Sequence, residues 1–394
     1  MATLSNMGFR LASDLRAGIV DLTCPGASNV PALDALRTLA ILLVVSDHSR
    51  FFFVEATDHQ SPLFRFPLFY FGWTGVDLFF VLSGYLIGKQ LWRELRDTST
   101  ILVGRFLLRR GLRIWPYYFV FVAVIMAAMG TAPITAYLPD LVFLSNYVPA
   151  RIAGGWSLST EEQFYLFVPA LLLATTRFIP FRHQWAPIFG LLCLLPVIRA
   201  VVLAQYGAHA HNDAALFYVI YTPFHTHADG LVAGLLLAWI SVARPALIQT
   251  LHFWRNIRAP AILAAAGLAL RAVDADLFAF TGLALVYGGF VLFFLRDRSV
   301  LSRFTGLRIF HVLSRLSYAM YLNHFVVMHW IPSIWLDASK YLSTTPAFLF
   351  GYAVALAISV AIASLTFIAI ESPFLQFRDR WNKRRERAIP ASRA

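Results

Sequence analysis

One apolar stretch carries ionisable side chains at a spacing that suits chemistry. The segment 31–54 contains Asp34, Arg37 and His48 among mostly apolar residues. Eleven residues at 3.6 per turn make about three helical turns, so Arg37 and His48 point the same way, about 16 Å apart along the axis. Ionisable groups inside a bilayer are expensive, and histidine is the side chain best suited to act as a base near neutral pH. His48 is therefore a candidate catalytic residue.

The same residues also have a structural interpretation. Asp34 and Arg37 are i,i+3 neighbours that can form an ion pair at the level of the lipid headgroups, with His48 at the membrane interface. Asp47 points about 100° away from His48 on a helix and need not be its partner. The spacing alone leaves both interpretations open.

Two further groups of polar residues lie near the starts of later apolar stretches. Glu161 and Glu162 are adjacent, and Ser159 or Thr160 could cap a helix whose N-terminal dipole favours these acids. Two H-x-H-x-D strings comprise His209, His211 and Asp213, and His225, His227 and Asp229. Their spacing does not place two ligands one helical turn apart, so we expect no metal site.

The composition indicates a polytopic membrane protein of the all-α class. The 394 residues are 59% hydrophobic and 14% charged, with a mean hydropathy of +0.65, whereas soluble domains carry about 25% charged residues. A bilayer core takes about 20 mostly apolar residues per helix. Ten stretches qualify: 31–54, 68–90, 112–131, 162–179, 185–205, 226–243, 258–273, 277–295, 315–335 and 345–370.

The net charge of +12 does not indicate nucleic-acid binding, because the basic residues lie in short loops between apolar runs. With the N-terminus inside, 26 of the 33 Lys and Arg residues fall in cytoplasmic segments. This asymmetry predicts ten spans with both termini in the cytoplasm. We divide the chain into a cytoplasmic segment 1–30, a transmembrane domain 31–377 and a basic cytoplasmic tail 378–394.

Two small features bear on packing. Cys24 and Cys193 are far apart in the sequence, which predicts no disulfide framework, and we expect Cys193 to be a packed thiol because it lies in an apolar run. Ser83 and Gly84 are small residues that allow two helices to approach closely.

Six blocks of the sequence, in order, resemble the acyltransferase-3 family of membrane-bound O-acyltransferases. Arg37 and His48 match the family's R-x10-H pattern in its first helix. The other blocks are GWTGVDLFFVLSGYLIG at 72–88, RFLLRRGLRIWPYY at 105–118, GGWSLSTEEQFYLFVPALL at 154–172, SYAMYLNHFVVM at 317–328 and ESPF at 371–374. One position departs from the pattern, since His227 stands where members often have arginine.

The resemblance implies roles for individual residues. His48 would be catalytic, either as a base or as the carrier of the acyl group. The donor would be acyl-coenzyme A arriving from the cytoplasm. Its phosphates would bind the guanidinium groups of Arg37, Arg109, Arg110 and Arg113. The alternative for the last three arginines is that they only set the orientation of the helix in the membrane.

The remaining candidates are carried over from the later blocks. Glu161 would polarise His48 or hold the acceptor, with capping as the alternative. Further substrate-binding candidates are Trp156, Ser157, Tyr165, Asp229 and His324.

The function implied is transfer of an acyl group, most often acetyl, from cytoplasmic acyl-coenzyme A to a hydroxyl of an envelope or secreted carbohydrate. The partners would be acyl-coenzyme A as co-substrate, a carbohydrate and the lipid of the cell membrane, with no cofactor and no nucleic acid. We expect the transfer to finish on the membrane domain itself or on a separate partner. The competing hypothesis is a transporter or flippase of a lipid-linked glycan, which would more often show paired repeats with broken helices.

Overall fold

The computed structural model describes residues 15–26, 29–130, 132–206, 216–249, 258–296 and 304–388, which form helices and loops without a β-strand. Each of the ten predicted spans overlaps a helix, although the bounds differ. These helices are α1 Pro31–Thr57, α2 Gly75–Thr98, α3 Val103–Met129, α4 Gly155–Thr176, α5 Trp185–Tyr206, α6 Asp229–Ala243, α7 Arg258–Val273, α8 Ala279–Arg296, α9 Arg308–Trp330 and α10 Thr344–Thr366.

Shorter helical segments connect or extend the ten helices. They are residues 15–23, Pro67–Tyr70, Leu138–Leu141, Pro245–Gln249 and Pro332–Ser339, the π-helical turns Phe217–Tyr221 and Phe367–Glu371, and the C-terminal Ser372–Ala388. The ninth predicted span, 315–335, is divided because Pro332 has no N–H to continue α9 and instead begins a new short helix.

Three helical stretches are long and apolar enough to cross a bilayer by themselves: Val103–Met129, Phe181–Tyr206 and Thr344–Trp381. The shorter helices α6 and α8 are also apolar. Helices α1 and α2 are long, but they carry ionisable residues that lie inside the protein, as charged groups in membrane domains generally do. The chain is thus an all-helical membrane protein, and the number of spans stays a prediction.

The expectation of a packed Cys193 is wrong, because its side chain is exposed on the surface of α5. Most of this helix faces outward, as Phe189, Leu194 and Val197 do. An apolar run in the sequence is compatible with a lipid-facing surface as well as with a core, since lipid tails are as apolar as leucine.

Closely packed glycines join α2 to α6 at the centre of the bundle. A Cβ atom added at Gly84 would lie 2.1 Å from the Leu231 carbonyl oxygen, and one at Gly234 would lie 2.2 Å from the Val81 carbonyl oxygen. Gly88 is also tightly covered by α6. The expected close approach at Gly84 is therefore confirmed, and it brings the polar residues of α2 and α6 together.

Helix α9 packs against both α1 and α10. A buried cluster fixes this contact: Asp34 on α1 accepts hydrogen bonds from Ser314 Oγ at 2.9 Å and Asn29 Nδ2 at 2.8 Å, and its Oδ2 lies 2.9 Å from His311 Nδ1. Asp34 is thus saturated by α9 and the preceding loop. This contact sets the register between α1, which carries His48, and α9, which carries His324.

Candidate active site

Two cavities lie in the bundle, and α1 contributes an ionisable residue to each. The first, here the arginine cavity, has a volume of about 130 Å³. Its polar wall includes Arg37, Arg110, Arg113, Ser157, Glu161 and Tyr165. The second, the histidine cavity, is larger at about 1070 Å³ and includes His48. Val76 and Tyr321 line both cavities, so the two are neighbours separated by these side chains.

Two arginines of the first cavity are weakly engaged by the protein. Arg37 lies 3.9 Å from Asp34, whose carboxylate is already saturated by closer partners. Arg113 makes no hydrogen bond or ion pair within the part of the chain that the structure describes. Three guanidinium groups face one carboxylate in this cavity, which leaves it net positive and suited to an anion.

Arg110 and Arg109 are neighbours in sequence with different surroundings. Arg110 donates to the Gln90 side chain at 2.9 Å and lies over the Phe106 ring, which fixes it at the cavity wall. Arg109 lies outside both cavities and is half-buried at the surface of α3. The structure therefore brings together Arg37, Arg110 and Arg113, but not Arg109.

Glu161 belongs to the arginine cavity and not to the surroundings of His48. Its Oε2 accepts a hydrogen bond from the Tyr165 hydroxyl at 2.9 Å, and its charge faces Arg110. The hydrogen-bond partners of His48 are instead Val44 and His324. The expectation that Glu161 polarises His48 is thus not met by the geometry.

The capping interpretation of the α4 acids is wrong, because α4 begins earlier, at Gly155. Gly154 precedes it with φ +76°, the left-handed conformation that glycine adopts most easily. Ser159 bonds to Ser145 at 2.7 Å instead of capping a helix. Glu162 points away from both cavities and accepts from the Trp115 indole at 3.1 Å.

Aromatic residues dominate the wall of the histidine cavity: Trp73, Trp156, Phe217, Tyr218, Tyr221 and Phe325. Among the described residues of this wall, Asp47 is the only aspartate, glutamate, lysine or arginine, and it is paired with Arg50 at 2.9 Å. Neutral, flat surfaces of this kind match a ligand with apolar faces and few charges.

The hydrogen bonds of His48 determine which ring nitrogen is available. Its Nδ1 lies 2.9 Å from the Val44 carbonyl oxygen, which only accepts, so Nδ1 carries the proton. The same Nδ1–H also faces His324 Nε2 at 3.2 Å. His48 Nε2 therefore keeps its lone pair, which is the state a general base requires.

His324 sits behind His48 and is not on the cavity wall. It is fully buried, and its Nδ1 donates to the Tyr321 carbonyl oxygen at 2.6 Å. This leaves Nε2 free to accept from His48. Phe325 completes the support, with its ring centroid 4.3 Å from that of His48. His324 thus contacts His48 but lines neither cavity, and a direct substrate contact stays a prediction.

His227 takes part in a buried pair that links α2 to the residues just before α6. Its Nε2 lies 2.9 Å from Asp77 Oδ1, and its Nδ1 lies 2.6 Å from the Tyr221 carbonyl oxygen. Both ring nitrogens of His227 are therefore engaged within the protein. Trp156 stacks on this ring, which connects the pair to the histidine cavity.

Asp229 lies in a fully buried ion pair with Arg199, with hydrogen bonds of 2.7 and 3.0 Å, and also accepts from Thr281. It reaches neither cavity, so the geometry supports a structural role, and substrate binding by Asp229 stays an untested prediction. His225 contacts Tyr147 at 3.0 Å, and burial lowers the pKa of His225.

The residues of the second H-x-H-x-D string thus have separate partners. No group of three potential metal ligands occurs within the described ranges. His209, His211 and Asp213 of the first string lie outside the described residues.

A family model described as an acyltransferase domain matches residues 30–364. The chain belongs to this acyltransferase family. The match covers most of the sequence, and it confirms the resemblance drawn from the six sequence blocks, together with the enzyme class.

Several curated proteins are similar to part of the chain. Peptidoglycan O-acetyltransferase OatA of Listeria monocytogenes is 28% identical over 232 residues, which is 54% of this chain and 34% of that protein. A putative O-acetyltransferase of Staphylococcus aureus is 25% identical over 236 residues (54% and 35%). The putative peptidoglycan O-acetyltransferase YrhL of Bacillus subtilis is 26% identical over 232 residues (54% and 33%). The matched regions span about a third of the length of these relatives, and no solved structure is significantly similar.

Several residues on the walls of the two cavities are not among the predicted site residues. Tyr321, at the boundary of the cavities, and Asp47, on the wall beside His48, were not predicted to take part. Tyr321 precedes His324 by three residues on α9, a spacing that places both on one helix face and would have indicated it.

Proposed function

We propose that this protein transfers an acyl group, most readily acetyl, from acyl-coenzyme A to a hydroxyl of a cell-envelope carbohydrate. The observation that carries the proposal is the free Nε2 of His48 at the wall of a large aromatic cavity that adjoins a cavity lined by three arginines. Similarity to peptidoglycan O-acetyltransferases supports a cell-wall glycan as the acceptor.

The donor side is assigned to the arginine cavity. Arg37, Arg110 and Arg113 provide guanidinium groups for the phosphates of coenzyme A, which prefer planar, bidentate donors. The negative charge of Glu161 partly balances the positive charges of these arginines when no donor is bound. The cavity is small, so it accommodates only part of the donor, and the acyl end has to extend toward His48.

The acceptor side is assigned to the histidine cavity. Sugar rings have apolar faces that pack on aromatic side chains, which Trp73, Trp156 and Tyr218 offer. The absence of a lysine or arginine on the described part of this wall favours a neutral sugar over an anionic one.

His48 acts as the base in this scheme. Its Nε2 removes the proton from the acceptor hydroxyl while the hydroxyl oxygen attacks the thioester carbonyl carbon. The tetrahedral intermediate then loses the coenzyme A thiolate as the C–S bond breaks. The thiolate receives the proton from His48, so the products are an O-acyl sugar and free coenzyme A. His324 holds the ring in the tautomer that this step needs.

We further propose that the protein lies in the cell membrane with ten spans and both termini in the cytoplasm. The support is the distribution of basic residues between loops together with the ten helices. In this orientation the arginines at the start of α3 lie toward the cytoplasm, where acyl-coenzyme A is available.

The proposal is tested with purified protein, coenzyme A carrying a labelled acetyl group, and peptidoglycan fragments as acceptors. Labelled acetyl esters, released from the glycan by mild alkali, are the expected product. Release of coenzyme A without label on any glycan would instead indicate a thioesterase. Retention of the full label on coenzyme A with every acceptor tried would contradict acyl transfer.

A further inference from the structure

The side chain of Tyr321 lies where the two cavities meet. Tyr321 and Val76 are the residues common to both walls, so they form the partition between the arginines and His48. Val76 is a short, β-branched side chain on α2 with little freedom to move. The tyrosine side chain is therefore the part of the partition that can swing aside.

Hydrogen bonds hold the tyrosine in its present position. Its hydroxyl lies 2.5 Å from Ser157 Oγ and 3.1 Å from the Gly154 carbonyl oxygen. Gly154 permits this approach, because a Cβ atom there would lie 3.4 Å from the Tyr321 hydroxyl and 3.1 Å from the Phe325 ring. The start of α4 is thus shaped to receive the phenol group of α9.

The position of His48 makes this partition important. His48 does not line the arginine cavity, whereas reacting atoms have to come within about 3–3.5 Å of each other. The direct way from the arginines to His48 leads past Tyr321, which lines both cavities. The closed partition also separates the thioester from water in the wide histidine cavity.

We propose that Tyr321 is a gate between the two cavities, latched shut by Ser157 and Gly154, which opens to pass the acyl end of the donor to His48. This inference rests on the proposed acyl transfer. With the gate open and no acceptor present, water attacks the thioester carbonyl, the C–S bond breaks, and acetate and the coenzyme A thiol are released. The intact latch suppresses this hydrolysis.

The first test measures access without depending on enzymatic activity. Cys24 and Cys193 are replaced by serine, and a thiol probe is introduced by Ser83→Cys on the wall of the arginine cavity. A separate variant, Tyr218→Cys on the wall of the histidine cavity, identifies the membrane face from which this cavity is labelled. Sealed vesicles with Ser83→Cys then receive a membrane-impermeant thiol reagent at that face. We expect the labelling rate of Ser83→Cys from this face to rise about tenfold when Tyr321→Ala is added. Tyr321→Phe, which removes only the hydroxyl that forms the latching hydrogen bonds, should have the same effect.

Tyr118→Phe is the matched control, because it removes a buried hydroxyl bonded to the Asp140 carbonyl and lines neither cavity. Its labelling rate should equal that of the parent. Equal labelling of Ser83→Cys with and without Tyr321 would overturn the gate, whether or not the protein transfers acyl groups.

The second test follows the fate of the thioester. In Tyr321→Phe we expect the ratio of acceptor-independent hydrolysis to transfer to rise about tenfold. A merely structural role would lower both rates in proportion and leave the ratio unchanged, which would contradict the gate. If the unaltered protein consumes no acyl-coenzyme A at all, the proposed function fails, and the labelling test still decides the fate of the gate.

Discussion

His48 is the proposed base, because its hydrogen bonds leave one ring nitrogen unprotonated at the cavity wall. We predict that His48→Ala lowers acyl transfer by about 10²–10⁴-fold, the usual contribution of a general base. Donor binding should be retained, since His48 does not line the arginine cavity. Initial rates at equal amounts of inserted protein provide the measurement.

His59→Ala is the matched control for this change. His59 is exposed in the loop that follows α1, so its removal should leave transfer unaffected. Near-normal turnover in His48→Ala would exclude His48 as the base.

The arginines of α3 provide a comparison within a single helix turn. We predict that Arg110→Gln or Arg113→Gln raises the Michaelis constant for the acyl donor about ten- to a hundredfold, the loss of one charge-assisted hydrogen bond. Arg109→Gln should change it little, because Arg109 lies outside the cavity. Donor and acceptor kinetics, measured beside protease accessibility, separate binding from an effect on topology.

Equal effects of the three changes would mean that the cluster acts through insertion or overall charge. In that case Arg37 would be the next candidate for a donor phosphate.

The residues of the site could be predicted from sequence only where a pattern is local. Arg37 and His48 stand out because they share a helix face within one apolar run. His324 matched a sequence block, but its contact with His48 joins positions 276 residues apart. Asp229 is a residue type that is common in functional sites, but both of its carboxylate oxygens accept hydrogen bonds from Arg199. Such long-range pairings depend on how helices are arranged, which no local spacing specifies.

The contact between α2 and α6 leaves no room for a larger side chain at its glycines. We predict that Gly84→Ala destabilises the protein by about 1–3 kcal/mol, because the new methyl group would overlap the Leu231 carbonyl oxygen. Gly104→Ala on α3 is the control, since nothing lies within 4 Å of its added Cβ atom. Alanine has a higher helix propensity than glycine, so Gly104→Ala should stabilise the protein slightly. Thermal unfolding midpoints in detergent compare the two.

A midpoint for Gly84→Ala equal to that of Gly104→Ala would show that α2 and α6 are farther apart than the structure has them.

The presence of the ten helices was predictable, because each overlaps a mostly apolar run of the sequence. Their boundaries were not, and the reasons are local. Helix α4 begins at Gly155, after a glycine in the left-handed conformation, and not at 162, where the polar residues end. Helix α3 extends back to Val103 through an arginine-rich turn that hydropathy alone excludes.

On the scale of the whole molecule, the orientation in the membrane decides which cavity meets the cytoplasm. We predict both termini on the cytoplasmic side, from the concentration of basic residues in alternate loops. Reporter fusions after residue 394 and within 206–222 should report opposite sides. The same side for both would require a different number of spans.

The central claim is that acyl groups pass from the arginine cavity to an acceptor in the histidine cavity, on opposite faces of the membrane. Sealed vesicles that contain the protein in one orientation test it directly, with labelled acetyl-coenzyme A on one face and a peptidoglycan acceptor on the other. We predict labelled glycan when the donor is on the cytoplasmic face and the acceptor on the outer face, and no product in the reversed arrangement or with His48→Ala. Product formed only when donor and acceptor share a face would contradict transfer between the two cavities.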